Sequence, residues 1–501
     1  MRSIPLSALA VGAIGLLLNA CSGGSDPAPA TDSAAAAQAP PATAQAVRAT
    51  VEALSRGGSA PVSTVPWTPP PSTAKDPGPR SVANDAGAPL AALTPAQRAA
   101  YDAGLADFNE AETVPEGLGP TMNLDSCGGC HAQPGVGGSS PALNPQVAFA
   151  SRNGATNRLP SFLSANGPVR EMRYVRNPDG SPDGGVHGLF TISGRADAPG
   201  CHLSQPDFAT ELARGNVVFR IPTPLFGAGL IESIPDREIM QNQARFADAK
   251  RSLGIRGRPN VLLTANSISG QPNRNGNDGT LGRFGHKAQN KSLLIFSGEA
   301  YNVEMGITNG AFPTERDETP ACLVAPTPNS DVTLEAGTLP TAAISAIDRF
   351  TLFMRFLAPP LPSNAVAGAS AGSIASGRQL FADTGCGLCH TPTLNTDKNA
   401  AVVALRAQAV NLYSDLLLHD MGAGLADGIQ QGQAGDREFR SAPLWGLGQR
   451  LFFLHDGRAT DVRLAIAAHN SDGSEANGVT RKFFALPDAQ QQDLLNFLRS
   501  L

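Results

Sequence analysis

Cysteine and histidine are both scarce in this chain, 7 and 8 in 501 residues, so any repeated pattern built from the two is hard to obtain by accident. A basic excess is missing as well. The 38 Lys and Arg against 43 Asp and Glu leave a net charge of −5, with both signs mixed along the chain, which gives no basis for nucleic-acid binding. A membrane-spanning run is also lacking at the amino end: residues 4–18 are mostly apolar but too short and too abruptly ended to cross a bilayer. From Ser22 to about Leu90 branched apolar and aromatic residues are few, as in Ala34-Ala35-Ala36-Ala37 and Pro69-Pro70-Pro71. Such a stretch buries too little surface to offset its ordering entropy.

Against that background, Cys127-Gly128-Gly129-Cys130-His131 and Cys386-Gly387-Leu388-Cys389-His390 stand out. C-x-x-C-H is the attachment signature of a c-type haem: each thiol adds across one vinyl group, and the adjacent histidine reaches the iron. Roughly 0.002 such strings are expected by chance in a chain with this few Cys and His, so two imply two covalently bound haem c groups. A thioredoxin-like pair or a four-cysteine zinc site accounts for the cysteines but not for a histidine after both strings.

Haem attachment of this kind requires export. Met1-Arg2 followed by residues 4–18 reads as a secretory signal, with Leu18-Asn19-Ala20-Cys21 resembling a lipoprotein cleavage site. On that reading residues 1–20 are removed, Cys21 is acylated, and Ser22 after it favours the outer membrane; a plain signal peptide is the alternative. The body then works in the periplasm, held off the membrane by a flexible tether over residues 21–92. Cys201 and Cys322 remain, either as a disulfide or as two buried thiols.

Order is expected from Thr94-Pro95-Ala96-Gln97, a capping box with proline at the first helical position, followed by Tyr101, Leu105 and Phe108 at helical spacing. Gly377, Leu380 and Phe381 introduce the second string similarly, and Leu494, Leu495, Phe497, Leu498 and Leu501 form one stripe of a carboxy-terminal helix. An internal echo follows: Arg283-Phe284-Gly285-His286-Lys287-Ala288 downstream of the first string, and Phe453-Leu454-His455-Asp456-Gly457-Arg458-Ala459 downstream of the second. The intervals, about 150 and about 65 residues, suggest one duplicated plan with a large insertion in the first copy. The fold expected is mainly α, with two cytochrome c-like haem domains over residues 93–350 and 351–501. The insertion, at about 140–281, is expected to hold short strands and long loops around Val217-Val218-Phe219-Arg220-Ile221.

Taken in order, Gly117-Leu118-Gly119-Pro120, the turn at 283–288, Glu304-Met305-Gly306-Ile307-Thr308, His419-Asp420-Met421-Gly422, Pro443-Leu444-Trp445-Gly446 and His455-Asp456-Gly457-Arg458 resemble the di-haem oxidoreductase, putative peroxidase family. That family is also labelled thiol oxidoreductase and is similar to bacterial di-haem cytochrome c peroxidases. The resemblance covers about residues 93–501. It implies a peroxidatic haem on Cys127, Cys130 and His131 and an electron-transfer haem on Cys386, Cys389 and His390. Peroxide chemistry needs a group that takes a proton from one oxygen and delivers it to the other, and Glu304 matches the family's distal glutamate. The family's glutamine partner is absent around residues 293–296.

For the second iron, the usual methionine before the His-Asp-Gly turn is replaced by Leu454, which leaves Met421 as the expected sixth ligand, with His419 or His455 as the alternative. Trp445 is expected to relay electrons between haems or else to fill the core, and Lys287 and Arg458 to pair with haem propionates. Asp317 and Glu318 are expected to hold a calcium ion or to form a solvated loop. The partners implied are hydrogen peroxide or another small oxidant, and a periplasmic donor such as a small cytochrome or cupredoxin. Related enzymes on the same scaffold include oxygenases and a protein-modifying enzyme, and a plain electron carrier is the third reading.

Overall fold

The computed structural model describes residues 69–81, 85–155, 159–181, 196–203, 205–262, 280–313, 322 and 345–501. Cys21, Trp67, His187, Asp317 and Glu318 lie outside the described residues. Helix α1 (Pro95–Asn109) starts as its sequence dictates: Thr94 Oγ1 accepts the Gln97 N–H while Gln97 Oε1 accepts the Thr94 N–H. After it come α2 (Cys127–Cys130), α3 (Pro145–Arg152), β1 (Glu171–Tyr174), α4 (Phe208–Ala213), β2 (Val217–Arg220), α5 (Ala228–Glu232), α6 (Asp236–Ala244) and α7 (Ala247–Leu253). The chain continues through α8 (Leu293–Met305), α9 (Ala346–Phe356), α10 (Ala371–Thr384), β3 (Leu394–Asn395), β4 (Ala409–Val410), β5 (Leu418–Asp420), β6 (Glu438–Arg440), α11 (Val462–Ala468), α12 (Asn477–Phe484) and α13 (Asp488–Ser500). The strands form three antiparallel pairs, β1 with β2, β3 with β4 and β5 with β6. The described elements are helices with a few short strands, consistent with a cytochrome-like helical fold.

Two helix pairs repeat one packing device. Gly104 of α1 lies against α9 so closely that a Cβ there would sit 2.4 Å from the Arg349 carbonyl oxygen and 2.9 Å from Phe353 Cβ. Gly377 of α10 meets α13 in the same way, its imagined Cβ 1.9 Å from the Asp493 oxygen and 2.7 Å from Phe497 Cβ. In each case an aromatic follows the glycine by one helical turn, Phe108 and Phe381, and faces the partner helix through Phe353 and Phe497. The duplicated plan inferred from sequence therefore exists at the level of helix contacts. The echoed turns also match. Phe284 bridges Asn290 and Phe453 bridges Ala459, each across a glycine with positive φ, Gly285 and Gly457.

Three expectations are corrected. The tether does not extend to residue 92, because the chain is already packed at Ala74 and Asp76. Arg499 donates to Asp76 from Nε and Nη2 at 2.6 Å each, and both side chains are buried. Ser72 and Thr73 hydrogen-bond Asp488 at the start of α13, and Arg80 Nη2 reaches the Leu501 carbonyl. The boundary placed at 350/351 falls inside α9, whose Phe350, Phe353 and Met354 belong to the first core. Leu394, Leu405, Val410, Leu412 and Leu417 join that core from the carboxy-terminal half, so the two halves interleave. The insertion is more helical than expected: its described residues carry five of the helices (α3 to α7) beside one strand pair. It walls the second attachment string: Ala249 and Ile255 pack with Leu388 and Val479, and Asn242 Nδ2 donates to Thr391 Oγ1 at 3.0 Å.

Among the described residues, no helix is long and apolar enough to cross a membrane. Cys201 and Cys322 form a disulfide, with Cα atoms 4.7 Å apart in a small buried cluster with Val114, Ala198 and Leu203.

Gly377→Ala is expected to destabilise the protein by about 2 kcal/mol through overpacking against a backbone, measured by denaturant unfolding. Burial pushes the Asp76 carboxyl up, but Arg499 and the Val462 and Gly78 N–H groups outweigh it and hold it below its usual value. Its stabilisation is thus present above about pH 4 and disappears as pH falls through the folded value. Asp76→Asn, which strands Arg499, should cost about 3 kcal/mol at neutral pH, and the gap from wild type should narrow below about pH 4 in unfolding curves.

Candidate functional site

Each C-x-x-C-H string folds as one helical turn, α2 and the 3₁₀ turn Cys386–Leu388, with the His131 and His390 N–H groups bonded back to the first cysteine's carbonyl at 3.0 and 2.9 Å. Residues three and four apart share a helix face, so both sulfurs and the imidazole are grouped. None of these four cysteines is in a disulfide. His131 Nδ1 lies 2.9 Å from the Gly138 oxygen and His390 Nδ1 3.0 Å from the Tyr413 oxygen. A carbonyl only accepts, so Nδ1 carries the proton and Nε2 keeps the lone pair that a metal takes. Burial, reinforced by His469, pushes the His390 pKa down to about 4, which keeps the ring neutral at pH 7.

A small cavity opens over the first string. Phe108, Cys127, His131, Leu225, Phe296, Ser297, Ala300, Tyr301, Glu304, Phe350 and Met354 line it. Helix α8 supplies one face at positions 297, 300, 301 and 304, the spacing of a helical stripe. Glu304 Oε2 reaches to 3.9 Å from His131 Nε2, so two residues 173 positions apart in sequence meet across one cavity. Where the family glutamine is missing, the wall is Phe296 and Ser297.

Both ends of α8 are fixed. At its start the wholly buried Glu232 accepts the Leu293 N–H and the Arg355 Nε, both at 2.8 Å, placing a carboxylate at a helix amino end. At its close Gly306 has φ +71°, and its backbone touches Gly119, where a Cβ on Gly306 would lie 2.7 Å from Gly119 Cα. Gly119 donates its N–H to the Met305 oxygen at 2.9 Å. The Gly-Leu-Gly-Pro and Glu-Met-Gly motifs are therefore one packing unit that sets the height of Glu304.

Around the second string the assignments differ. His419 is not free to bind a metal: it is buried, with Nδ1 2.9 Å from Glu475 Oε2 and Nε2 3.1 Å from Asp415 Oδ2. Burial disfavours its charge, yet Cys389 and Asp415 hold its pKa well above the usual value. His455 stacks on Phe439 at 4.3 Å, near His286, so the echoed turns meet each other. Met421 is half-buried just after β5, its N–H on the Arg437 oxygen and its carbonyl accepting from Ser471 Oγ.

Trp445 packs on Gly227, two residues from the cavity-lining Leu225, where a Cβ on that glycine would sit 2.5 Å from the indole. Its neighbour Leu444 donates to the Leu412 oxygen beside Tyr413, so this segment links the two strings. Lys287, expected to pair with a propionate, is turned inward. Its buried ammonium holds Asp427 at 3.0 Å and the Gly435 and Glu438 oxygens at 2.9 and 3.0 Å, over the Phe439 ring. Arg458, partly exposed, pairs with Asp456 at 2.5 Å and donates to the Gly424 oxygen. Among the described residues no cluster of His, Cys, Asp and Glu is arranged to hold a separate metal ion.

The family model described as "Di-haem oxidoreductase, putative peroxidase" matches residues 170–501. The chain belongs to that family. The matched segment contains Glu304 and the second attachment string, and the first string precedes it. No curated protein matches. A solved structure of Kuenenia stuttgartiensis hydrazine synthase pressurised with xenon is similar at 12% identity, covering 89% of this chain and 99% of that one at a TM-score of 0.33, too remote to bear on fold or activity. Two haems suit a chain with two pairs of unpaired thiols, two imidazoles presenting Nε2, and an aromatic cavity over the first. Sequence reading missed Tyr301, whose position three residues before Glu304 on a helix was the available signal, and Glu232, which carried none.

Glu232→Gln should lower stability by about 3 kcal/mol by breaking the buried pair with Arg355. It should also shift the absorption of the first haem in the loaded protein, while Asp102→Asn, in the exposed pair with Arg98 on α1, leaves that absorption unchanged and stability within about 1 kcal/mol.

Proposed function

We propose that this family member is a periplasmic, lipid-anchored c-type di-haem peroxidase. It would reduce hydrogen peroxide at the haem held by Cys127, Cys130 and His131, with electrons entering from a small cytochrome or cupredoxin through the haem held by Cys386, Cys389 and His390. The observation that carries this reading is that Glu304 and the His131 imidazole line one cavity. When bound, the haems supply redox-active iron that passes single electrons. Glu304 then accepts a proton from one peroxide oxygen and delivers it to the departing oxygen, the task a positioned carboxylate performs in general acid–base catalysis. Phe108, Phe296, Phe350 and Met354 give the cavity apolar walls beside Glu304, whose own side chain stays partly open to solvent. His131, oriented by the Gly138 carbonyl, and His390, oriented by the Tyr413 carbonyl, would hold the two irons through Nε2.

Met421 is the proposed sixth ligand of the second iron. His419 is spoken for by its two carboxylates. Trp445 is the proposed relay on the segment that joins the two sites. Export to an oxidising compartment agrees with the Cys201–Cys322 disulfide, and Cys21 is the proposed lipid anchor. A carboxylate facing an open cavity favours an enzyme over a carrier with both irons saturated.

Peptide mass spectrometry of the holoprotein should find one haem on each of the two Cys-x-x-Cys peptides. Peroxide added to reduced protein should oxidise the haem bands rapidly, and Glu304→Gln should slow that reaction by about a hundredfold or more with both haems retained. Equal rates in wild type and variant would remove Glu304 from the reaction.

A further inference from the structure

The second hydroxyl-bearing aromatic in the first core is bonded differently from its neighbour. Tyr101 gives its hydroxyl to the backbone carbonyl of Gly87, an acceptor that satisfies a buried phenol but cannot take its proton. Tyr301 instead donates to a carboxylate, Glu112 Oε1, at 2.8 Å. Its ring is buried, stands edge-on to Phe350 with centroids 5.0 Å apart, and lines the cavity with Cys127, His131 and Glu304. Glu112 comes from the segment between α1 and the first string, its N–H fixed on the Asp125 oxygen at 2.8 Å.

We propose that Tyr301 is a redox-active residue of the first cavity and that Glu112 is its proton acceptor. In the step, the phenol O–H bond breaks, the proton moves to Glu112 Oε1, and one electron leaves the ring for a one-electron oxidant. That oxidant is the peroxide-oxidised haem in the working protein. A neutral tyrosyl and a carboxylic acid remain, and one electron and one proton restore the pair. Burial raises the Glu112 pKa; the Tyr301 hydrogen bond opposes that rise, and the nearby Glu110, Glu116 and Asp107 add to it, which strengthens the carboxylate as an acceptor. The pair would store an oxidising equivalent beside the iron and deliver it to a reducing substrate.

The assignment rests on a peroxide-reactive first haem, and two oxidants separate the two ideas. Full-length holoprotein is mixed with hydrogen peroxide, or oxidised by photogenerated tris(bipyridine)ruthenium(III), then frozen for electron paramagnetic resonance. A tyrosyl signal is expected in both arms, at least tenfold weaker in Tyr301→Phe. Glu112→Gln keeps an acceptor oxygen but not the proton affinity, and should lower the yield about tenfold with haem content unchanged. A signal in the ruthenium arm alone, lost in Tyr301→Phe, sinks the peroxide reading and supports Tyr301. No tyrosyl signal in either arm, or an undiminished one in Tyr301→Phe, overturns the proposal; an unchanged yield in Glu112→Gln overturns the pairing with Glu112.

Discussion

The buried carboxylate of Glu232 governs the geometry on which the first site depends. It satisfies the Leu293 N–H at the amino end of α8 and the Arg355 guanidinium of α9 at once. An uncompensated charge at that depth would be costly, whereas one shared between a helix terminus and a cation is stable. With the far end of α8 pinned by the contact of Gly306 on Gly119, the helix can neither slide nor rotate. Tyr301 and Glu304 therefore face the cavity that His131 closes.

The two attachment strings share one local solution. In both, a helical turn gathers two thiols and an imidazole, and a backbone carbonyl fixes the imidazole proton on Nδ1. Their surroundings diverge. The first string looks onto a cavity edged by a carboxylate and a phenol. The second is flanked by α7, by His419 between Asp415 and Glu475, and by the edge-to-face cluster of Phe381, Tyr413 and Phe497. The insertion contributes to both, through Leu225 at the first and Leu253 at the second.

Much of this plan was legible in the chain. The strings, the capping box of α1 and the carboxy-terminal stripe rest on local spacing, which helix geometry converts directly into shared faces, whereas Glu304 was assigned to the first site only through the family resemblance. The repeated Gly104 and Gly377, each a turn ahead of a phenylalanine, were readable as a second echo, since only glycine lets two helix backbones approach so closely. The tether was overextended because composition reports average burial capacity. A single Asp76 placed opposite Arg499 orders a segment that its neighbours alone would leave loose.

By itself, the sequence determined which atoms are available and in what local order: four thiols, two proximal imidazoles, and a helix bearing Tyr301 and Glu304 on one face. Tertiary structure decided what those atoms meet. It turned Lys287 inward to Asp427 and locked His419 between carboxylates. It brought Glu304 to His131 and Glu112 to Tyr301, and threaded the carboxy-terminal half into the first core. Each of these depends on desolvation and pairing between residues far apart in the chain, and a buried charge takes whichever partner the fold places beside it.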